Sequence, residues 1–286
     1  MTKLRYDAVS YVLKNGNQNH KLKMLMTLGG KKEDCQKLVV ELKSMQNLDG
    51  GWPWQLERGK PSGVSQTART LELLLKVDED RNSEGVRRAV HFLLQKQNPD
   101  GGWSENPELE GIIPQERKWM STRYSGFQTA DAILALAEAG YANDARVLKA
   151  VEFLREAQNE EGGWPSYVGP EYPYEGSDIA TTDHIVAAFL KLGEPRNSAV
   201  VNNAVKALPK HRSDWSSPID AATALNVFLM LEYPLEHEFV KELVNSLVEM
   251  QKPDGGWNWF GDLPSNPAQT VDCIEQLVKC GVQIMH

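Results

Sequence analysis

Residues 46–52 read Gln46-Asn-Leu-Asp-Gly-Gly-Trp52. The pattern returns as Gln97-Asn-Pro-Asp-Gly-Gly-Trp103, Gln158-Asn-Glu-Glu-Gly-Gly-Trp164 and Gln251-Lys-Pro-Asp-Gly-Gly-Trp257. Successive glutamines lie 51, 61 and 93 residues apart, and the last gap holds a degenerate fifth copy, LPKHRSDW over Leu208–Trp215, without the glycines. A short pattern recurring at intervals of tens of residues marks a repeat architecture. Each copy punctuates one supersecondary unit, which buries its apolar face only by stacking on its neighbours.

Each copy closes a helical pattern. Residues 33–46, 82–97, 143–158 and 236–251 place apolar side chains at i, i+3, i+4 and i+7, as with Val147, Ala150, Val151 and Leu154. Charges fill the other positions, so each helix keeps one face in water. The Gly-Gly pair is expected to stop the helix, because a residue without Cβ takes the left-handed C-terminal turn at no steric cost. The Trp is expected to cover the helix end and the Gln amide to bond its loose carbonyls. Both roles are structural.

A second helix type follows each copy: SQTARTLELLL (65–75), FQTADAILALAEAG (127–140), ATTDHIVAAFLKLG (180–193), DAATALNVFLMLEY (220–233) and AQTVDCIEQLVKCG (268–281). These are rich in Ala and Leu and mostly poor in charge, the composition of a helix buried on most of its circumference. With Tyr6–Leu13 and His20–Leu28 the chain has about twelve helices in alternation. Two concentric rings satisfy that alternation, so the expected architecture is an all-α (α/α)6 barrel in a single domain, its repeats covering about 33–281. Strand signals are absent, and all fifteen prolines fit connections or helix ends.

At 286 residues, with 41% hydrophobic and 24% charged residues, the chain can bury a large core without staples, which excludes a disordered or fibrous class. The net charge of −8 and the lack of a Lys/Arg cluster argue against a nucleic-acid partner. Three cysteines, none in a CxxC, leave no disulfide framework or cysteine-rich zinc site and suit a reducing cytosol. The N-terminus has no apolar run of signal-peptide length, and the longest uncharged apolar-leaning stretch, Ala221–Leu231, is half of what spans a bilayer. The expected location is the cytoplasm, with peripheral membrane contact through a surface patch at most.

The Q-x-x-D-G-G-W repeat followed by Q-T-A helices resembles the terpenoid cyclase and protein prenyltransferase superfamily, most of all the repeats of squalene–hopene and oxidosqualene cyclases. The resemblance covers roughly residues 33–281 and implies the same barrel. It implies that Gln46/Trp52, Gln97/Trp103, Gln158/Trp164 and Gln251/Trp257 tie outer helices together, and that inner-helix N-termini face a cavity for an isoprenoid or other apolar small molecule. Class II cyclases carry D-x-D-D before an inner-helix T-A, and its middle acid protonates an alkene or epoxide. The stretches here are GVSQT (63–67), SGFQT (125–129), DIATT (178–182), PIDAA (218–222) and PAQTV (267–271), and none holds three acids. Asp178 falls at the first Asp and Ala180 at the proton donor's place. Prenyltransferase β subunits bind zinc through a D-x-C pair and a His. Here Asp272 and Cys273 are adjacent and there is no DDxxD, so no metal or other cofactor is expected.

The chemistry is expected at the barrel end that carries loops 104–126 and 165–178. These loops supply Arg117, Trp119, Arg123 and Tyr124, then Tyr167, Tyr172 and Tyr174. With Trp54, Trp259 and Phe260 they would form an aromatic rim over an apolar centre, able to hold a polyprenyl chain and to stabilise a carbocation by cation–π contact. The competing reading has the aromatics plug the barrel mouth. Arg117 and Arg123 would bind a diphosphate or remain solvated. Asp178, Asp183 and His184 cluster at one inner-helix start, either as a general acid with an orienting partner or as a helix cap beside a core histidine. Three functions fit: a single-barrel cyclase-like isoprenoid enzyme, a non-catalytic toroid binding a lipid or a partner protein, and a polysaccharide-lyase-like α/α barrel.

Overall fold

The computed structural model describes residues 2–113, 125–167 and 176–285, and among them are twelve α-helices and one short strand pair. In chain order the helices are α1 (Ala8–Asn15), α2 (Gln18–Thr27), α3 (Lys32–Ser44), α4 (Val64–Lys76), α5 (Glu84–Gln95), α6 (Gly126–Glu138), α7 (Ala145–Glu156), α8 (Ile179–Lys191), α9 (Ala199–Ala207), α10 (Pro218–Met230), α11 (Glu238–Glu249) and α12 (Pro267–Lys279). Between α3 and α4, β1 (Trp52–Pro53) pairs antiparallel with β2 (Ser62–Gly63), a strand signal too short to read from sequence. The odd-numbered helices are the amphipathic class, and α3, α5, α7 and α11 run into the four full repeat copies. The even-numbered helices are the buried class. Five of them, α4, α6, α8, α10 and α12, have 13 residues each and start from aligned N-caps: Gly63, Ser125, Asp178, Ser217 and Asn266.

The chain divides into two compact units, Met1–Val39 with Leu208–His286, and Val40–Ala207. In the first, α12 packs against α1, α2, α10 and α11 around Trp257, Leu22, Leu225 and Phe228. In the second, α6 packs against α4, α7 and α8 around Trp52, Trp103 and Trp164, each no more than 1% exposed.

The repeat is one set of hydrogen bonds made four times. Each Trp indole N–H donates to a carbonyl in the last turn of the preceding helix: Trp52 to Leu42, Trp103 to Leu93, Trp164 to Leu154 and Trp257 to Leu247, at 2.6–2.7 Å. Each Trp backbone N–H donates to a threonine hydroxyl in the first turn of the following even-numbered helix, Thr67, Thr129, Thr182 or Thr270. The indole, not the glutamine, therefore satisfies the orphan carbonyl of the helix end. The Gln amide instead donates twice, once to the carbonyl of the first repeat glycine and once to the start of the next odd-numbered helix. Gln46 thus joins Gly50 to Gly85, and Gln158 joins Gly162 to Val200. In the degenerate copy Trp215 is still buried, at 3%, but its indole N–H has no acceptor among the described residues.

The glycines also act differently from the expectation. The helices end before the repeat turn, α7 at Glu156, while Gly162 lies further on with φ +100°. It is needed there because a Cβ would strike the Asn203 backbone carbonyl of α9. Gly193 has a similar φ of +90° but open space around its Cβ position. Gly193→Ala should therefore cost about 1 kcal/mol, for conformation alone, and Gly162→Ala about 2–3 kcal/mol. Equal shifts in urea midpoint for the two variants would show that the close approach is not what selects Gly162.

Candidate functional site

The even-numbered helices carry a repeated chemical position. The sixth residue after each N-cap is Lys23, Arg69, Asp131, His184, Thr223 or Asp272. Five of the six are ionisable, and from α4 onward these helices are otherwise rich in apolar residues. In the second unit three of them meet. Asp131, with its side chain 4% exposed, receives Arg69 Nε on Oδ2 at 3.0 Å and His184 Nδ1 on Oδ1 at 2.9 Å. Phe127, one turn earlier on α6, packs on both Arg69 and His184. The Arg69 guanidinium stands 4.8 Å over its ring, and the His184 imidazole lies 4.1 Å from it centroid to centroid.

The electrostatics of this cluster follow from its geometry. Burial pushes the Asp131 carboxyl up, but Arg69 and then His184 outweigh burial and hold it below its ordinary value. Burial disfavours a charged His184, but the Asp131 carboxylate, aided by Asp183, holds the imidazole above its ordinary value, with Arg69 opposing. An ionised carboxylate only accepts, so Nδ1 of His184 carries a proton and Nε2 points away from Asp131. In the first unit the same register pairs Lys23 with Asp272 at 2.8 Å, and Lys23 also reaches Glu275 at 2.8 Å. Burial acts on Glu275 first, yet Lys23 and Lys279 hold its carboxyl down at about 2.

A second feature lies at the start of α4, whose N-cap, Gly63, has no side chain to cap with. Glu105, 1% exposed, fills that role from the following loop. Its carboxyl accepts the N–H groups of Val64, Ser65 and Asn106 and the amide of Gln128 on α6. Burial pushes this carboxyl up, against the pull of those donors. Beside it, Trp54 packs with Leu109 and Ile113 in an apolar cluster. Immediately after Trp54 the backbone is left-handed at two non-glycine residues, Gln55 (φ 55°) and Leu56 (φ 59°), a conformation that costs of order 1–3 kcal/mol each.

The residues singled out from sequence fall as follows. Asp178 caps α8, its Oδ1 accepting the Thr181 N–H at 2.6 Å. Asp183 is buried on α8, and His184 is in the cluster. Trp54 is buried at 7% against the apolar cluster. Tyr167 is half-buried and bridges to Ser125, Trp259 is half-buried with its carbonyl accepting the Ile219 N–H, and Phe260 is exposed. Arg117, Trp119, Arg123, Tyr124, Tyr172 and Tyr174 lie outside the described residues. Asp272 is taken by Lys23, and the thiol of Cys273, pushed up by burial, receives the Gln269 amide at 3.3 Å. Asp131, Arg69 and Glu105 were missed. The first two had a signal: in SQTAR, FQTAD and ATTDH a charge recurs at one register of an apolar helix. Glu105 had only its place two residues after Trp103, where two of the other copies carry Trp54 and Trp259 and the third carries Ser166.

Residues 15–175 match the model of the squalene-hopene cyclase C-terminal domain. A lanosterol synthase of Aspergillus fumigatus is 34% identical over 137 residues, 45% of this chain and 16% of that protein. A squalene–hopene cyclase of Bradyrhizobium diazoefficiens is 37% identical over 126 residues, 44% of this chain and 18% of that protein. The match thus covers less than a fifth of either relative. Among solved structures, the type II terpene cyclase MstE from Scytonema is similar in two complexes. With its product merosterolic acid A the TM-score is 0.69 at 16% identity, over 95% of this chain and 94% of that one. With its substrate geranylgeranyl dihydroxybenzoate it is 0.66 at 17%, over 96% and 95%. At such identity the likeness establishes the fold class alone, the all-α toroid class expected from the repeat.

Proposed function

Because this chain belongs to the squalene-hopene cyclase C-terminal domain family, we propose that it binds an isoprenoid or comparably apolar chain near the starts of α4, α6 and α8 and cyclises or isomerises it without the three-acid motif. The observation that carries this reading is Glu105. Protonating an alkene needs a carboxyl kept neutral by its surroundings. Burial moves the buried Glu105 carboxyl toward that form, against four hydrogen-bond donors that favour the charged one, and Trp54 of the apolar cluster lies beside it, both 3.4 Å from the Cβ position of Gly63. Asp131, held ionised by Arg69 and the His184 Nδ1–H, is unsuited to donate the proton and suited to face a developing positive charge, with the Phe127 ring adjacent.

The test is a panel of C15 to C30 polyprenyl substrates, including squalene and geranylgeranyl aryl acids, incubated with the purified chain and read by mass spectrometry. Wild-type protein should convert at least one, and Glu105→Gln should lower turnover at least a hundred-fold while the fold persists by circular dichroism. Full turnover in Glu105→Gln would remove Glu105 from the chemistry. Conversion of no panel member would overturn the isoprenoid reading.

A further inference from the structure

We propose that Asp131 and His184 form a proton-transfer dyad in which Nε2 of His184 removes the proton that ends the reaction, with Arg69 as a positioning residue. The inference rests on the isoprenoid reading for its substrate and on the cluster geometry for its residues. A histidine used only for packing needs no defined tautomer. Here the Asp131 carboxylate fixes one: it accepts from Nδ1 at 2.9 Å, which leaves Nε2 as the basic nitrogen whenever the ring is neutral. Phe127 packs against the imidazole, ring centroids 4.1 Å apart and planes tilted by 51°. Arg69, bonded to the other carboxylate oxygen, keeps Asp131 charged so that it can stabilise the imidazolium when that forms. The His184 side chain is 25% exposed while that of Asp131 is 4% exposed, so the histidine is the member open to a ligand.

The step balances without a further reactant. Once a proton has been added to the substrate, a carbon next to the cationic centre loses a hydrogen. The C–H bond breaks and its electron pair becomes the new C=C bond. The proton forms the Nε2–H bond, and the resulting imidazolium lies against Asp131. Glu105 has given one proton and His184 has gained one, so solvent exchange restores both and the substrate is isomerised. The groups that act on His184 are Asp131 from α6, Arg69 from α4 and Asp183 from α8.

Two measurements test this. The first needs no substrate: nitrogen-15 NMR of the imidazole in the wild-type chain, titrated upward in pH. The expected result is a titration above the usual histidine range, ending in the Nδ1–H tautomer. An Nε2–H tautomer at the end of the titration would overturn the dyad. The second is the pH profile of turnover. The acidic limb of wild-type activity should follow the His184 titration, with a fall at higher pH as Glu105 ionises, and Asp131→Asn should move the acidic limb to lower pH and reduce kcat with little change in KM. His184→Gln, which can still donate to Asp131, should lose at least a hundred-fold in kcat. An unmoved profile in Asp131→Asn or full activity in His184→Gln would also overturn the dyad. The expected tautomer with no polyprenyl conversion would support the dyad and count against the isoprenoid substrate alone.

Discussion

Trp164→Ala is expected to destabilise the protein by about 4 kcal/mol, the largest single effect among the repeat residues. The ring is 0% exposed and packs 5.8 Å from Phe189. Its removal leaves a cavity in a core that cannot fully collapse, and it also frees the Leu154 carbonyl that the indole caps at 2.6 Å. The two contributions separate with phenylalanine. Trp164→Phe keeps most of the volume but orphans the carbonyl, an additional cost of about 1–3 kcal/mol. Trp215→Phe makes the same change in volume where the indole N–H has no acceptor among the described residues, so it should cost markedly less. Urea unfolding of the three variants decides the matter. Equal losses for Trp164→Phe and Trp215→Phe would show that volume alone, and not the helix-end hydrogen bond, makes the repeat tryptophan structural.

Asp131→Ala is expected to cost about 3 kcal/mol near neutral pH. Removing one member of a buried ion group leaves its partners uncompensated, which costs 3–5 kcal/mol when all are buried. The lower end applies because the Arg69 side chain is 44% exposed and can turn to water. The pH dependence carries a sign that a packing defect would not. His184 has a folded pKa above its unfolded value of 6.5, so its contribution is whole below that value and is lost as pH rises through the raised one. Asp131 has a folded pKa below its unfolded value of 3.8, so its contribution is present above that value and is lost as pH falls through the depressed one. The cluster should stabilise the wild type most between those two unfolded values. In Asp131→Ala the loss of stability on the alkaline side should flatten, since the histidine has lost its partner. An alkaline slope as steep as that of the wild type would show that His184 is not what titrates there.

The sequence by itself determined the alternation of helix classes, their number and the four places where a tryptophan closes a helix. These depend on apolar residues three and four positions apart and on turn residues adjacent in the chain, which are local quantities. The register of the even-numbered helices was equally legible, because the threonine that binds each repeat tryptophan recurs at the fourth residue of α4, α6, α8 and α12. With that register came the charged sixth position, where His184 stood out alone and Arg69 and Asp131 went unread as its counterparts. Tertiary structure decided the rest. His184 lies next to Asp183 in the chain and near Asp178, yet its bonded partner is Asp131, 53 residues away, and Asp131 in turn meets Arg69, 62 residues away. A helix turns 100° per residue, so neighbours in sequence point apart, while equal positions on adjacent helices face one another once the helices pack. For the same reason the repeat glutamine, placed by sequence at its own helix end, bonds instead to the start of the next odd-numbered helix. Glu105 became a buried acid only because Gly63 leaves the end of α4 uncapped and the loop after Trp103 folds over it.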